Sequence, residues 1–276
     1  MISIIYNSIL IVFLFTPFGL FLSKKKQINL DYFTSQLIFG LIIISFLALF
    51  LNFFIPLNQK INTVILIIPI ILMLINIKIY LNKNFIIFLI LSSLIIFILI
   101  LESDVYRPDA GLYHLPYIKI LNDEKIIFGL SNFHFRYGHI SIIQYLSAIS
   151  NNLIFRENGI VFASALIASS VIINFAYKIY DYNKSKNYNF HFYFLLSSLI
   201  FIIYKMNRYS EYGNDAPAHF LFLFLISEIL GVEKKKIKDV CNCLILIAFI
   251  ILNKITLLLC LLLSFLILKK KDLINI

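Results

Sequence analysis

What most limits this chain is its succession of apolar runs, each close to the length that crosses a lipid bilayer. A spanning helix needs about 20 mostly apolar residues. Candidates lie at about 3–22, 33–55, 63–81 and 85–101, then at about 158–178, 191–205 and 216–232, and in a last pair at 240–253 and 255–268. A soluble fold would need a charged exterior, and charged residues make up only 14% of the 276 residues against about 25% in ordinary soluble domains. Apolar residues make up 61% and the mean hydropathy is +0.93. The net charge of +10 does not indicate a nucleic-acid partner, because the basic residues are dispersed among apolar runs. The expected fold class is all-α, a polytopic transmembrane helix bundle of about nine spans.

Lysines orient the bundle. Lys24–Lys26, Lys78 and Lys83, Lys178, Lys184 and Lys186, Lys234–Lys236 with Lys238, and Lys269–Lys271 fall in alternate loops that contain no arginine. By the positive-inside rule these loops are cytoplasmic and the N-terminus is outside. The start Met-Ile-Ser-Ile-Ile has no basic n-region and reads as a first span. Two polar regions, about 102–157 and 206–215, then share the non-cytoplasmic side with all four arginines and eight of the fourteen acids. Three units are expected: a four-span bundle over 1–101, a non-cytoplasmic loop with short and amphipathic helices over 102–157, and a C-terminal bundle over 158–276. Within the loop, 138–155 sets His139, Ser141, Gln144, Ser147, Asn151 and Asn152 along one side and Ile142, Ile143, Leu146, Ile149 and Leu153 along the other. That pattern suits a helix lying in the membrane interface. The last two runs flank Asn253-Lys254 and form a hairpin whose arms reach roughly 21 Å, short of a core of about 30 Å. Lys254 then lies near the depth of a lipid phosphate or is a snorkelling lysine on a short span.

Three polar stretches can carry chemistry. Glu102, Asp104, Arg107, Asp109, Tyr113 and His114 follow the fourth run. Asp109 suits a helix N-cap, with Pro116 kinking or ending that helix, or it serves as a general base on a hydroxyl. His134, Arg136 and His139 alternate with aromatics, a composition that can bind sugar hydroxyls or decorate a folded loop. Arg208, Glu211 and Asp215 precede the seventh run, where Asp215 can cap the helix with Pro217 in its first turn and His219 just beyond. The spacing His134…His139 excludes an H-E-x-x-H zinc pair, no phosphate-binding glycine loop occurs, and Cys241, Cys243 and Cys260 sit in apolar runs without disulfide or zinc spacing.

The tract Asp109-Ala-Gly-Leu-Tyr113-His114-Leu-Pro-Tyr-Ile-Lys119, followed by Gly129-Leu-Ser-Asn132-Phe-His134, resembles the GT-C superfamily of polytopic glycosyltransferases, and most of all a poorly characterised bacterial branch. Asp109 and Tyr113 match the superfamily's Asp-x-x-x-Tyr, Asp215 its later acid before a span, and Lys254 its lysine at an outer hairpin. The resemblance runs over about residues 85–268. Ala110 stands where the superfamily often has Glu, and four spans rather than one precede the loop. Members are usually longer, so the chain is expected to be a shortened or minimal form.

The resemblance implies an inverting transfer from a polyprenyl-phosphate-linked sugar to a lipid, glycan or protein acceptor, on the non-cytoplasmic face of a bacterial inner membrane. Asp109 would be the base, with Asp104 and Glu102 in reserve. Lys254 with Arg107 or Arg208 would hold the phosphate, while Tyr113, His114, His134, Arg136, Glu211 and Asp215 would contact sugar or acceptor. No cofactor is implied, a divalent cation being compatible with the acids. The partners are the lipid-linked donor, the acceptor and membrane lipids. A lipid-linked glycan polymerase or ligase would depend on Arg136 and the histidines instead, and a non-catalytic transport or assembly protein on none of them.

Overall fold

The structure, a computed structural model, describes residues 2–22, 28–102, 108–139, 141–204, 213–231 and 237–269. Among them every regular element is helical. Helix α1 (Ile2–Phe15) runs into a 3-10 stretch, Thr16–Phe21, and α2 spans Leu30–Asn52. The third apolar run is broken into α3 (Gln59–Ile65), α4 (Ile67–Ile75) and α5 (Ile77–Tyr80), and α6 covers Lys83–Leu101. A π-turn, Ala110–His114, leads into α7 (Leu115–Asp123), and α8 covers Ile142–Ser150. Then come α9 (Phe162–Lys184), α10 (Phe190–Tyr204), α11 (Asp215–Leu230) and α12 (Ile237–Asn253). The second arm of the last pair is 3-10 over Ile255–Leu262 and becomes α13, Leu263–Lys269.

Four helical segments are long and apolar enough to cross a membrane: Ile2–Phe21, Leu30–Asn52, Lys83–Leu101 and Arg156–Lys184. Where the sequence leads to about nine spans, the other runs give shorter helices or, as at Leu66 and Asn76, helices interrupted by turns. Helix α6 shows the membrane pattern plainly. Phe85, Phe88, Ser92, Ile96 and Leu99 are buried, while Ile86, Ile90, Leu94 and Ile98 repeat every four residues on an exposed, equally apolar row. In water such a row would be a large uncovered apolar patch, and several apolar helices compatible with an integral membrane protein account for it.

Helix α9 is the centre, packing against α2, α6, α8, α10 and α11. Its buried small residues Ala163, Ala165, Ala168, Ser169 and Ser170 let neighbouring backbones approach closely, as in membrane bundles, and Ser169 Oγ meets Ser92 Oγ of α6 at 3.0 Å. A second close crossing joins the 3-10 stretch to α2. A Cβ at Gly19 would lie 1.8 Å from the Gln36 carbonyl oxygen, and one at Gly40 2.5 Å from that of Phe15.

Apart from contacts within the apolar helices, such as Ser92–Ser169, the following long-range polar contacts sort into two ends. At one end, Leu57 N donates to Leu121 O at 2.9 Å, and Asn62 Nδ2 donates to Ala148 O at 2.9 Å and Asn151 O at 2.7 Å. At the other, Asn84 Nδ2 donates to Ile28 O at 2.7 Å and Asn242 Nδ2 to Leu22 O at 3.1 Å. There, too, Lys178 Nζ lies 2.6 Å from Glu228 and 3.5 Å from Asp31. Each contact joins residues that the lysine pattern assigns to one side.

Two local expectations change. All nine residues of α8 are buried, so this helix lies inside the protein, not along a membrane surface. Its polar side faces amides from remote parts of the chain. Apolar side chains in this region are exposed at Leu112, on the turn carrying Phe128, Phe133 and Phe135, and at Leu153 and Ile154 after α8. In the last pair, α13 packs back on α12, as a hairpin requires. The second arm is not one straight helix, because its 3-10 stretch is kinked by non-helical backbone at Leu257 (φ -87°, ψ 17°), so the length of a regular α-helical arm does not apply to it.

Candidate functional site

Asp109 enters the π-turn without acting as its cap, since its side chain makes no capping bond. Instead Oδ1 accepts from Arg136 Nη1 at 2.9 Å, an ion pair whose members remain 51% and 38% exposed. The Arg136 guanidinium also lies 5.0 Å from the centre of the Tyr113 ring. Pro116 does not end the helix. It occupies the first turn of α7, where a missing N–H is tolerated, and the helix continues to Asp123. The wider π-turn before it sets Asp109, Tyr113 and His114 at the end of α7.

His114 is buried, and its protonation follows from its neighbour. Ser141 caps α8 in an S-x-x-Q capping box, in which Gln144 Oε1 accepts the Ser141 backbone N–H at 3.1 Å. That fixes the amide, so Gln144 Nε2 donates to His114 Nδ1 at 2.9 Å. Nδ1 is then an acceptor and Nε2 carries the proton. Burial agrees, pulling the imidazole below its ordinary 6.5 against the opposing charges of Asp109 and Asp215. Burial, and next the Asp109 carboxylate, push the Tyr113 phenol up.

Asp215 likewise is no cap. Helix α11 begins at Asp215 with Asn214 in the capping position and no side-chain capping bond. Asp215 Oδ1 pairs with Lys254 Nζ at 2.7 Å, the lysine being 24% exposed. Asn253 holds this junction together. Its Oδ1 accepts from Ser141 Oγ at 3.0 Å and Ile143 N at 3.1 Å, and its carbonyl accepts from Asn214 Nδ2 at 2.8 Å. The end of α12 is thereby tied to the starts of α8 and α11, which fixes where Lys254 emerges. The two ion pairs are linked through the start of α8, where Ser141 bonds Asn253, next to Lys254, and Gln144 bonds His114, next to Tyr113. His219 lies within the field of Lys254 and Asp215.

The structure thus gathers Asp109, Tyr113, His114, Arg136, Asp215 and Lys254. His134 is adjacent but turned to local structure: its Nδ1 accepts from Arg136 N at 3.3 Å and its ring stacks on Phe135. Glu102 ends α6, exposed and without an ion pair among the described residues. Asp104, Arg107, Arg208 and Glu211 lie outside the described residues. Gln144, Ser141 and Asn253 are the positioning residues that sequence reasoning missed, and the S-x-x-Q spacing was the available signal for the first two. No group of three or more His, Cys, Asp or Glu suited to a metal occurs among the described residues.

Chemically, this is a surface-accessible carboxylate, a paired lysine and a neutral imidazole N–H within one charged cluster. A cavity of about 1010 Å³ lies beside it, lined by α7 but by none of these six residues. No curated protein and no solved structure matches the chain. One family model, described as "Domain of unknown function (DUF8201)", covers residues 1–274 and so every element of the site, and the chain belongs to that family.

Proposed function

We propose that this chain is an inverting glycosyltransferase of a bacterial cell membrane. It would span the membrane about nine times and use a lipid-phosphate-linked sugar on the non-cytoplasmic face. The observation that supports this is the convergence of Asp109, Arg136, Asp215 and Lys254, far apart in sequence, into two linked ion pairs. They lie at the end opposite the Asp31–Lys178–Glu228 cluster.

In this reading the acceptor hydroxyl attacks the anomeric carbon as its bond to the lipid phosphate breaks, and the hydroxyl proton passes to Asp109. Arg136 holds Oδ1, which leaves Oδ2 free to take that proton. Lys254 exchanges its Asp215 contact for the departing phosphate, a charge-assisted bond. The Nε2–H of His114 and the phenol of Tyr113 orient hydroxyls.

The test is Asp109→Asn, which keeps an acceptor for Arg136 but removes the base. Transfer in membrane vesicles should fall by about 10²–10⁴-fold, and full transfer would exclude Asp109 as the base. It would favour the polymerase or ligase reading, in which Arg136 and the histidines do the work.

A further inference from the structure

The cavity of about 1010 Å³ has a lining that the ion-pair cluster does not explain. It opens between the first turns of α1, the start of α3, the outer face of α7 and the segment 151–162. The walls from α1 and α3 precede the stretch over which the GT-C resemblance runs, whereas Leu115, Ile118 and Lys119 belong to the tract that carries it.

Asn7 is the telling residue. It sits in α1 beside Ser3, Tyr6 and Ser8, lines the cavity, is only 7% exposed, and its side chain makes no hydrogen bond among the described residues. Its amide is not one of the enclosed polar atoms left without a partner; it opens onto the cavity, where it can bond what enters. Across the cavity the amides are held rigidly with some valences spare. Gln59 Nε2 donates to Asn151 Oδ1 at 2.8 Å, leaving Gln59 Oε1 open. Asn58 Oδ1 accepts from Ile61 N at 3.0 Å, leaving its Nδ2 open. Lys60 and Glu157 bring one charge of each sign, and Lys119 and Asp123 pair with each other at 3.2 Å.

Balanced charge gives no preference for an anion, whereas amides offer the donor and the acceptor that each hydroxyl needs. Apolar side chains at Ile118 and Ile160 suit the C–H faces of sugar rings. The volume is at the upper end of the roughly 300–1,000 Å³ of small-molecule sites, room for more than one ring. We infer that this cavity is a binding site for a neutral oligosaccharide, separate from the ion-pair cluster.

The full chain in phosphatidylcholine nanodiscs, titrated with maltotriose, chitotriose and anionic trigalacturonate and followed by saturation-transfer NMR, tests this. One or both neutral trisaccharides should bind. Asn7→Leu should bind about tenfold more weakly, the loss of one good hydrogen bond, while melting no lower than the parent. Ile4→Trp, which fills the cavity, should abolish binding and carries the test if Asn7→Leu does not fold. Asp109→Asn should bind as the parent does, so loss of transfer and loss of binding are read separately. Binding of trigalacturonate alone, no binding of either neutral sugar, or binding indifferent to both cavity variants would overturn the inference.

Discussion

His114 shows how much one side chain's chemistry depends on a neighbour thirty residues away. Because Gln144 holds Nδ1 as an acceptor and burial disfavours the cation, the folded protein binds that proton less readily than the unfolded chain. Stability from this group is therefore intact above the unfolded value of about 6.5 and declines as pH falls from there toward the lower folded value. His114→Asn, whose Oδ1 can replace Nδ1 as acceptor, should flatten the acid side of a melting-temperature profile. The bond between Asp109 and Arg136 carries a second expectation. The effects of Asp109→Asn and Arg136→Ala on transfer should be non-additive, since both variants disturb one pair. Two independent effects in a double-mutant cycle would show that the pair does not act as a unit.

Among elements, glycines discriminate packing from permissiveness. Gly40→Leu should cost more than about 2 kcal/mol or prevent folding, because its Cβ would enter the Phe15 carbonyl. Gly111→Ala meets nothing within 4 Å and should be within about 0.5 kcal/mol of the parent; thermal unfolding in one detergent compares the two. Element positions were largely legible in the sequence, since apolar runs between lysine clusters coincide with α1, α2, α6 and α9–α12. What was not legible was the environment of α8. A helix with one polar side looks the same whether that side meets lipid headgroups or buried amides. Here the partners are Asn253, more than a hundred residues ahead, and His114, thirty behind. The same remoteness hid the true roles of Asp109 and Asp215, which local rules present as caps and the fold presents as halves of ion pairs.

For the whole molecule, the two polar ends make a prediction about orientation. With Cys241, Cys243 and Cys260 replaced, Lys60→Cys should react with a membrane-impermeant maleimide on intact cells, and Asp181→Cys only after lysis. The reverse pattern would invert the proposed active face. At the Asp181 end, Lys178 bridges Asp31 and Glu228 while only 18% exposed. Lys178→Met leaves both carboxylates without that cation and should lower stability by about 1–3 kcal/mol, less than for a fully buried pair because the acids are partly solvated. This cluster joins α2, α9 and α11 and would lock the bundle at the end away from the chemistry.

The π-turn at Ala110–His114 has a consequence for how such a chain can change by insertion and deletion. A π-turn holds one residue more than the α-helical turn it replaces. Deleting a single residue there, Ala110, Gly111 or Leu112, would restore an α-helical turn, and because the wider turn absorbs the extra residue, Asp109 would keep nearly its present direction around the axis of α7. The pair with Arg136 would persist, and the cavity wall from Leu115 to Asp123 would keep its place. A change of one residue in length at this turn is thus one that the chain can absorb while retaining both its charged pair and its cavity.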